Sequence, residues 1–378
     1  MKARRNPILA LLALAAMTAC GNPGAPMPPS AELPRAPQDL ALTRKGNKVT
    51  LSWTPSSHTT DGQNVRLKKL GPALICRGVN EFPMAQCHIV GQSPPAMPPL
   101  PANGQKQAPP APRVEYTDTL PTDLQQIYPT GFATYAVQAM NWRWRTAGLS
   151  NQVRVPLAPV LPPPPGVVDA KLTPDAIVVT FDCSGPIPPL PALSYYCRLY
   201  RKPSDGAATA IQDVVRGFGP CNPDAAGGEN RCEVVDRTFA WETTYTYWVT
   251  PVTQVWQNGR KIAEVEGDDS PPKVVVAHDV FPPRVPAGLQ AVASGVGQKP
   301  FVDLTWIPDT EADLAGYNVY RQEPDGVSWR KLNSGLATTS AFRDEPTPAG
   351  RTYTYAVSAV DLRGNESARS QPASERVP

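Results

Sequence analysis

The chain has 378 residues, of which 47 are proline and 27 glycine, with 41% apolar and 18% charged residues. That length suits two or three domains, a proline share more than twice the usual one disfavours long helices, and the apolar content is enough for real cores. A net charge of +3 is too small to indicate a general nucleic-acid-binding surface, so no nucleic-acid partner is expected.

Residues 1–19 have the three parts of an export signal: a basic start (Lys2, Arg4, Arg5), an apolar run from Ile8 to Ala16 too short to span a bilayer, and small residues near Ala19. The following Met17-Thr18-Ala19-Cys20-Gly21 resembles the lipobox of bacterial lipoproteins. That resemblance implies that Cys20 is lipidated, becomes the mature N-terminus and holds the chain to a cell-envelope membrane. In a Gram-negative cell this would be the outer membrane or a periplasmic membrane face, and Gly21 is not the Asp of the inner-membrane retention signal. An ordinary secretory signal with a chance cysteine is the competing reading. Residues 20–36 read as a tether, because Gly21–Pro37 carries six prolines and few apolar residues.

Seven cysteines are odd for an exported chain, and setting Cys20 aside leaves six. They form close sequence pairs, Cys76 with Cys87, Cys183 with Cys197 and Cys221 with Cys232, which suits disulfides made in an oxidising compartment. Two fall in one presumed domain and four in the next, so three connectivities remain if pairing stays within domains. With no C-x-x-C spacing, and with His58, His88 and His278 scattered, no metal site is expected.

Three segments share a Tyr-x-Val core at Tyr135, Tyr247 and Tyr355, which lie 112 and 108 residues apart. Upstream of each lies an alternating strand ending in a large aromatic: VTLSW at Trp53, IVVTF at Phe181 and VDLTW at Trp306. Period-two alternation with β-branched residues marks strands that pack on one face only. Many short strands recurring at about hundred-residue spacing predict an all-β chain of tandem sandwiches.

From Pro286 the third repeat reads P-x-x-L, VDLTW, DLAGYNVYR, a tryptophan-containing strand at 327–332, SAFRDE and AGRTYTYAVSAVDLRGNES, and here the chain resembles the fibronectin type III family. The resemblance implies immunoglobulin-like β-sandwiches over 37–158, 164–280 and 284–378. It also places a tyrosine corner at Tyr353 and Tyr245 and a core containing Trp53, Tyr135, Phe181, Tyr247, Trp306, Tyr317, Val319, Leu332, Phe342, Tyr355 and Val357. The first repeat departs most, with Ala133 at the corner position, a long stretch before strand C at 73–78, and a proline-rich insertion over 92–113. In the second, Cys183 and Cys197 would tie the loop SGPIPPLPALS, and Cys221 and Cys232 would close CNPDAAGGENRC just before strand E.

No catalytic constellation is present: the sequence lacks G-x-S-x-G, H-E-x-x-H and a phosphate loop, and the glycines of GVGQKP at 295–300 belong to an A–B turn. Asp309, Glu311 and Asp313 have the donor type of a calcium site but read as a solvated B–C loop, and Asn365-Glu366-Ser367 fits a glycosylation sequon but reads as an F–G turn. No cofactor is expected. Trp142 and Trp144 alternate on one face beyond strand F of the first repeat, with Arg143 and Arg145 on the other, and Trp256 holds the matching place in the second. These three tryptophans form the candidate ligand surface, against the expectation that they cover their own sandwich. The whole reads as a non-enzymatic, membrane-anchored envelope protein acting as a spacer or interaction module for an unknown protein or glycan partner. The alternative is an accessory carbohydrate-binding lipoprotein of a polysaccharide-degrading system.

Overall fold

The computed structural model describes residues 31–80, 87–97, 113–183, 190–215, 221–222, 231–323 and 326–378. The export signal, Cys20, most of the proline-rich insertion, the middle of the loop between Cys183 and Cys197, and the residues just after Asn222 lie outside the described residues. The chain divides into two compact units.

The first unit contains Met1–Val160 together with Pro189–Ser194 and Thr253–Gly267. Its strands are β1 (Ala41–Lys45), β2 (Lys48–Trp53), β3 (Leu70–Val79), β4 (His88–Ser93), β5 (Val114–Thr119), β6 (Phe132–Asn141) and β7 (Val153–Pro156), with a short helix α1 (Thr122–Ile127) between β5 and β6. They form two antiparallel sheets, β1-β2-β5 and β4-β3-β6-β7. Alternation decides which side chains face inward. In β2, Val49, Leu51 and Trp53 are buried, and they meet Ile75, Tyr135 and Val137 from the other sheet.

The rest of the chain forms two more sandwiches, which lie in the second unit apart from Pro189–Ser194 and Thr253–Gly267. One is built from β8 (Val167–Thr173), β9 (Ala176–Asp182), β10 (Leu193–Pro203), β11 (Thr209–Val215), β12 (Cys221–Asn222), β13 (Arg231–Asp236), β14 (Thr243–Gln257), β15 (Arg260–Glu266) and β16 (Lys273–Ala277). One of its sheets runs β12-β13-β9-β8 and the other runs β11-β10-β14-β15, with β16 also paired to β14. The last sandwich sets β17 (Gln290–Ala293), β18 (Val302–Thr305) and β21 (Ala341–Asp344) against β19 (Leu314–Gln322), β20 (Trp329–Lys331), β22 (Thr352–Asp361) and β23 (Ala373–Arg376). Phe181 and Tyr247 are fully buried in the former, and Tyr355 with Trp306 fills the latter.

A single motif recurs in all three sandwiches. Tyr135 donates to the Asp118 carboxylate at 2.6 Å, and Arg77 reaches the same oxygen at 2.6 Å. The equivalent sets are Tyr247 and Arg201 on Asp236 (2.8 and 2.7 Å), and Tyr355 and Arg321 on Asp344 (2.9 and 2.8 Å). In each, the Asp stands on one sheet while the Tyr and Arg stand on the other, so a buried carboxylate bolts the two layers together. Burial, reinforced by the neighbouring Asp, pushes all three phenols well above their usual pKa.

A second repeated device starts the last strand of each sandwich. Ser150, Ser270 and Ser370 accept the backbone N–H groups of Val137, Val249 and Val357 at 2.9, 3.0 and 3.0 Å. Each serine hydroxyl then donates to the carbonyl of the next residue, which keeps the strand edge satisfied where the ladder breaks.

Tyr353 donates to the Pro348 carbonyl at 3.2 Å, and Tyr245 accepts the Ala240 N–H at 2.8 Å, both forming corners. The first sandwich, with Ala133, instead uses α1. There Gln125 is buried and donates to Asn47 and the Leu120 carbonyl. Gln125 also accepts from Arg44, whose guanidinium is spread over the carbonyls of Gly46, Pro156 and Ala158. Burial among these neutral oxygens lowers the Arg44 pKa to about 10.

Three boundaries differ from the sequence reading. Residues 31–36, assigned there to the tether, are bound to the first sandwich: Thr60 donates to the Leu33 carbonyl and Arg35 to the His58 carbonyl, because the long B–C stretch offers its backbone to them. The tip of the β14–β15 hairpin belongs to the first unit, where Gly46 donates to the Glu266 carbonyl at 2.8 Å and Lys45 pairs with Glu266 at 2.9 Å. Cys232 is the second residue of β13 and does not lie just before that strand, and β12 adds an edge strand opposite it.

Replacing a buried carboxylate that holds two partners leaves both unpaired, so Asp236→Ala is expected to cost the second sandwich about 3–5 kcal/mol in urea unfolding. Burial opposes ionisation of Asp236, but hydrogen bonds from Thr238 and Tyr247 and the charge of Arg201 outweigh it and hold its pKa below the ordinary value. A carboxylate of this kind stabilises the native state above its unfolded pKa of about 3.9 and loses that contribution as pH falls through the lower native value. The parent should therefore lose stability below about pH 4 more steeply than Asp236→Ala, and parallel curves would contradict the assignment.

Candidate functional site

Strand β6 ends at Asn141, whose side chain builds the next turn. Its Oδ1 accepts the N–H groups of Arg143 and Arg145 at 2.9 and 3.0 Å, while its own N–H and C=O bond to the Arg145 carbonyl and the Trp144 N–H. Trp142 and Trp144 therefore project from a tight turn and do not alternate along an extended strand. The third sandwich makes the same turn from Asp361, which accepts from Arg363 and Asn365 at 2.8 and 2.9 Å. Its left-handed position is Gly364, with φ of 90°, whereas the first sandwich puts Trp144 there with φ of 58°. A bulky residue at positive φ is strained, and such strain survives where the surroundings enforce it.

Both tryptophans are exposed, Trp142 by 46% and Trp144 by 62%, so neither covers its own sandwich. The Arg143 guanidinium lies 4.5 Å from the Trp142 ring centroid and the Lys69 ammonium 5.2 Å, both within cation–π range. Trp256 behaves differently. It lies half-buried within β14, and its indole N–H donates to Ser194 at 2.8 Å, which makes it a packing residue and separates it from the exposed pair.

The disulfides Cys76–Cys87 and Cys183–Cys197 are formed, and Cys232 is also disulfide-bonded, with the backbone of Cys221 directly opposite it in the register. Cys183 and Cys197 are buried in the second core.

A further cluster joins carboxylates far apart in sequence. One oxygen each from Asp279, Asp313 and Asp361 lies within 4.8 Å of the others, and Asp279 and Asp361 are buried. Asn365 ties the group together, donating to the Asp279 carbonyl at 3.2 Å and to Asp361 at 2.8 Å. Three carboxylate oxygens are the donor type of a hard cation such as calcium. The loop trio Asp309, Glu311 and Asp313 does not act as a set: Glu311 takes the backbone N–H and guanidinium of Arg284, and Asp309 accepts the Glu311 N–H. Sequence reasoning missed the cluster because its members come from three separate segments.

No family model matches the chain. Among curated proteins it is similar to the amylopullulanase of Thermoanaerobacterium thermosulfurigenes, at 38% identity over 95 residues, which is 25% of this chain and 5% of that one. It is also similar to the amylopullulanase of Thermoanaerobacterium saccharolyticum, at 41% over 93 residues (24% and 7%), and to exoglucanase B of Cellulomonas fimi, at 38% over 93 residues (24% and 8%). The chain thus spans less than a tenth of the length of these relatives. Among solved structures, an Fn3-like protein from Clostridium thermocellum is 30% identical over 26% of this chain and 96% of its own, with a TM-score of 0.22. The FN1–FN3 domains of chicken CNTN1 match 91% of this chain and 99% of their own at 14% identity, with a TM-score of 0.25.

Three carboxylates this close repel one another when no cation lies between them. Asp313→Asn is therefore expected to stabilise the cation-free chain by up to about 1 kcal/mol, measured as a raised melting temperature in chelator. The same change should remove any rise that calcium gives the parent, and a variant that melts lower than the parent in chelator would refute the repulsion.

Proposed function

We propose that this is an exported, non-enzymatic envelope protein held to a membrane through lipid on Cys20, with its three sandwiches serving as a spacer and interaction module. The observation that carries the reading is the use of cysteine. Cys76, Cys87, Cys183, Cys197 and Cys232 are in disulfides and Cys221 faces Cys232, so the odd residue of the seven is the one inside the lipobox-like sequence. Acyl chains contribute about 0.8 kcal/mol for each buried methylene, so two or more hold a protein stably where one does not. Cys20→Ser is expected to move the protein from the membrane to the soluble fraction, and continued partitioning into detergent would overturn the anchor.

The second reading, an accessory carbohydrate-binding role in polysaccharide degradation, draws on the names of the relatives, which are amylopullulanases and an exoglucanase. Shared sandwich segments are weak support for a shared ligand. A glycan array on which the parent protein shows no binding removes this reading.

A further inference from the structure

We propose that the turn bearing Trp142 and Trp144 is a lipid-contacting surface that seats the first sandwich on the headgroups of an anionic membrane, a proposal that rests on the Cys20 anchor described above.

The first argument is where the chain arrives. Asn141, which builds the tryptophan turn, also donates from its side-chain amide to the Ala31 carbonyl at 3.1 Å. Glu32 pairs with Lys69 at 3.2 Å, and Lys69 lies over the Trp142 ring. The segment leading from the anchor is thus bound beside the exposed tryptophans. Cys20 precedes Ala31 by eleven residues, a length of chain that reaches at most about 40 Å. The turn therefore stays within a short distance of the membrane whatever path that chain takes.

The second argument is chemical. Tryptophan is enriched at membrane–water interfaces, where its ring sits at headgroup level. Here two exposed tryptophans are joined by Leu67, itself 56% exposed, on the neighbouring single turn Leu67–Lys69, whose Lys69 carbonyl accepts the Trp142 N–H. Arg66, Lys68, Arg143 and Arg145 are all exposed around them. Among the described residues, Glu32 is held by Lys69 and Asp61 accepts from Thr59, against the four exposed cations. Basic residues beside an apolar tip are the pattern that anionic headgroups attract.

The third argument separates lipid from sugar. A sugar stacks on an open ring face, but the Arg143 guanidinium and the Lys69 ammonium both lie against Trp142. Arg143 is exposed there, placed to meet phosphate, while Lys69 is also paired with Glu32. Retention of a strained Trp144 where the third sandwich has Gly364 fits a side chain held outward for contact.

The test is hydroxyl-radical footprinting of the full chain, matured in a bacterial host and purified, with an excess of vesicles of phosphatidylethanolamine and phosphatidylglycerol, or of phosphatidylcholine alone. Oxidation of Trp142 and Trp144 is expected to fall at least about threefold with the anionic vesicles relative to detergent, and less with the neutral ones. Arg143→Glu/Arg145→Glu should abolish the difference, while Trp256 labels equally throughout. Equal labelling of Trp142 and Trp144 with and without anionic vesicles overturns the proposal, as does protection found only in whole cell envelopes, which would assign the turn to a protein or glycan. The same peptide maps read acylation of Cys20: an unmodified Cys20 defeats the anchor separately, whatever the footprint shows.

Discussion

In each sandwich one aspartate, Asp118, Asp236 or Asp344, is held by a tyrosine and an arginine from the facing sheet. A charge so enclosed is expensive to bury alone and favourable only when its partners are in place. This makes the arrangement selective. A one-residue slip of the Asp-bearing strand would turn the carboxylate to solvent and leave the arginine and the phenol without it, so the motif enforces the register that the apolar alternation only favours. The serine that accepts from Val137, Val249 or Val357 sets the final strand in the same way. Loops attached to strands so fixed can vary widely, and they do: the first sandwich replaces its tyrosine corner by α1, and the second adds β12 and a stapled loop.

Much of this architecture was legible in the sequence because it is periodic. Val49, Leu51 and Trp53 face inward at every second residue, and the Tyr-x-Val pairs recur in all three repeats. The carboxylate that joins the sheets was present in the quoted strings, as the Asp of SAFRDE and the Arg of GYNVYR, yet its role depends on a contact across 23 residues. Alternation reports which face a side chain lies on and says nothing of which partner it meets there. The same limit hid the carboxylate cluster of Asp279, Asp313 and Asp361.

The tryptophans show another limit. Spacing of two reads as one face of a strand, but Asn141 turns the chain by accepting two backbone N–H groups, and that geometry was signalled only by comparison with Asp361 and Gly364 of the third repeat. With the turn recognised, Trp142 and Trp144 become the least covered tryptophans among the described residues, and Trp256 drops out through its bond to Ser194. Residues 31–36 likewise looked like spacer by composition, although their backbone is engaged by the B–C stretch.

The β14–β15 hairpin gives the chain a dependence that a string of beads lacks. Residues 253–267 complete the first unit although they follow Val160 by almost a hundred residues. During synthesis the N-terminal sandwich is made before Glu266, the residue that its Gly46 amide and Lys45 side chain bind. A fragment cut after Val160 would carry the strands of both its sheets and its Asp118 bolt but lack Glu266, the partner of Gly46 and Lys45.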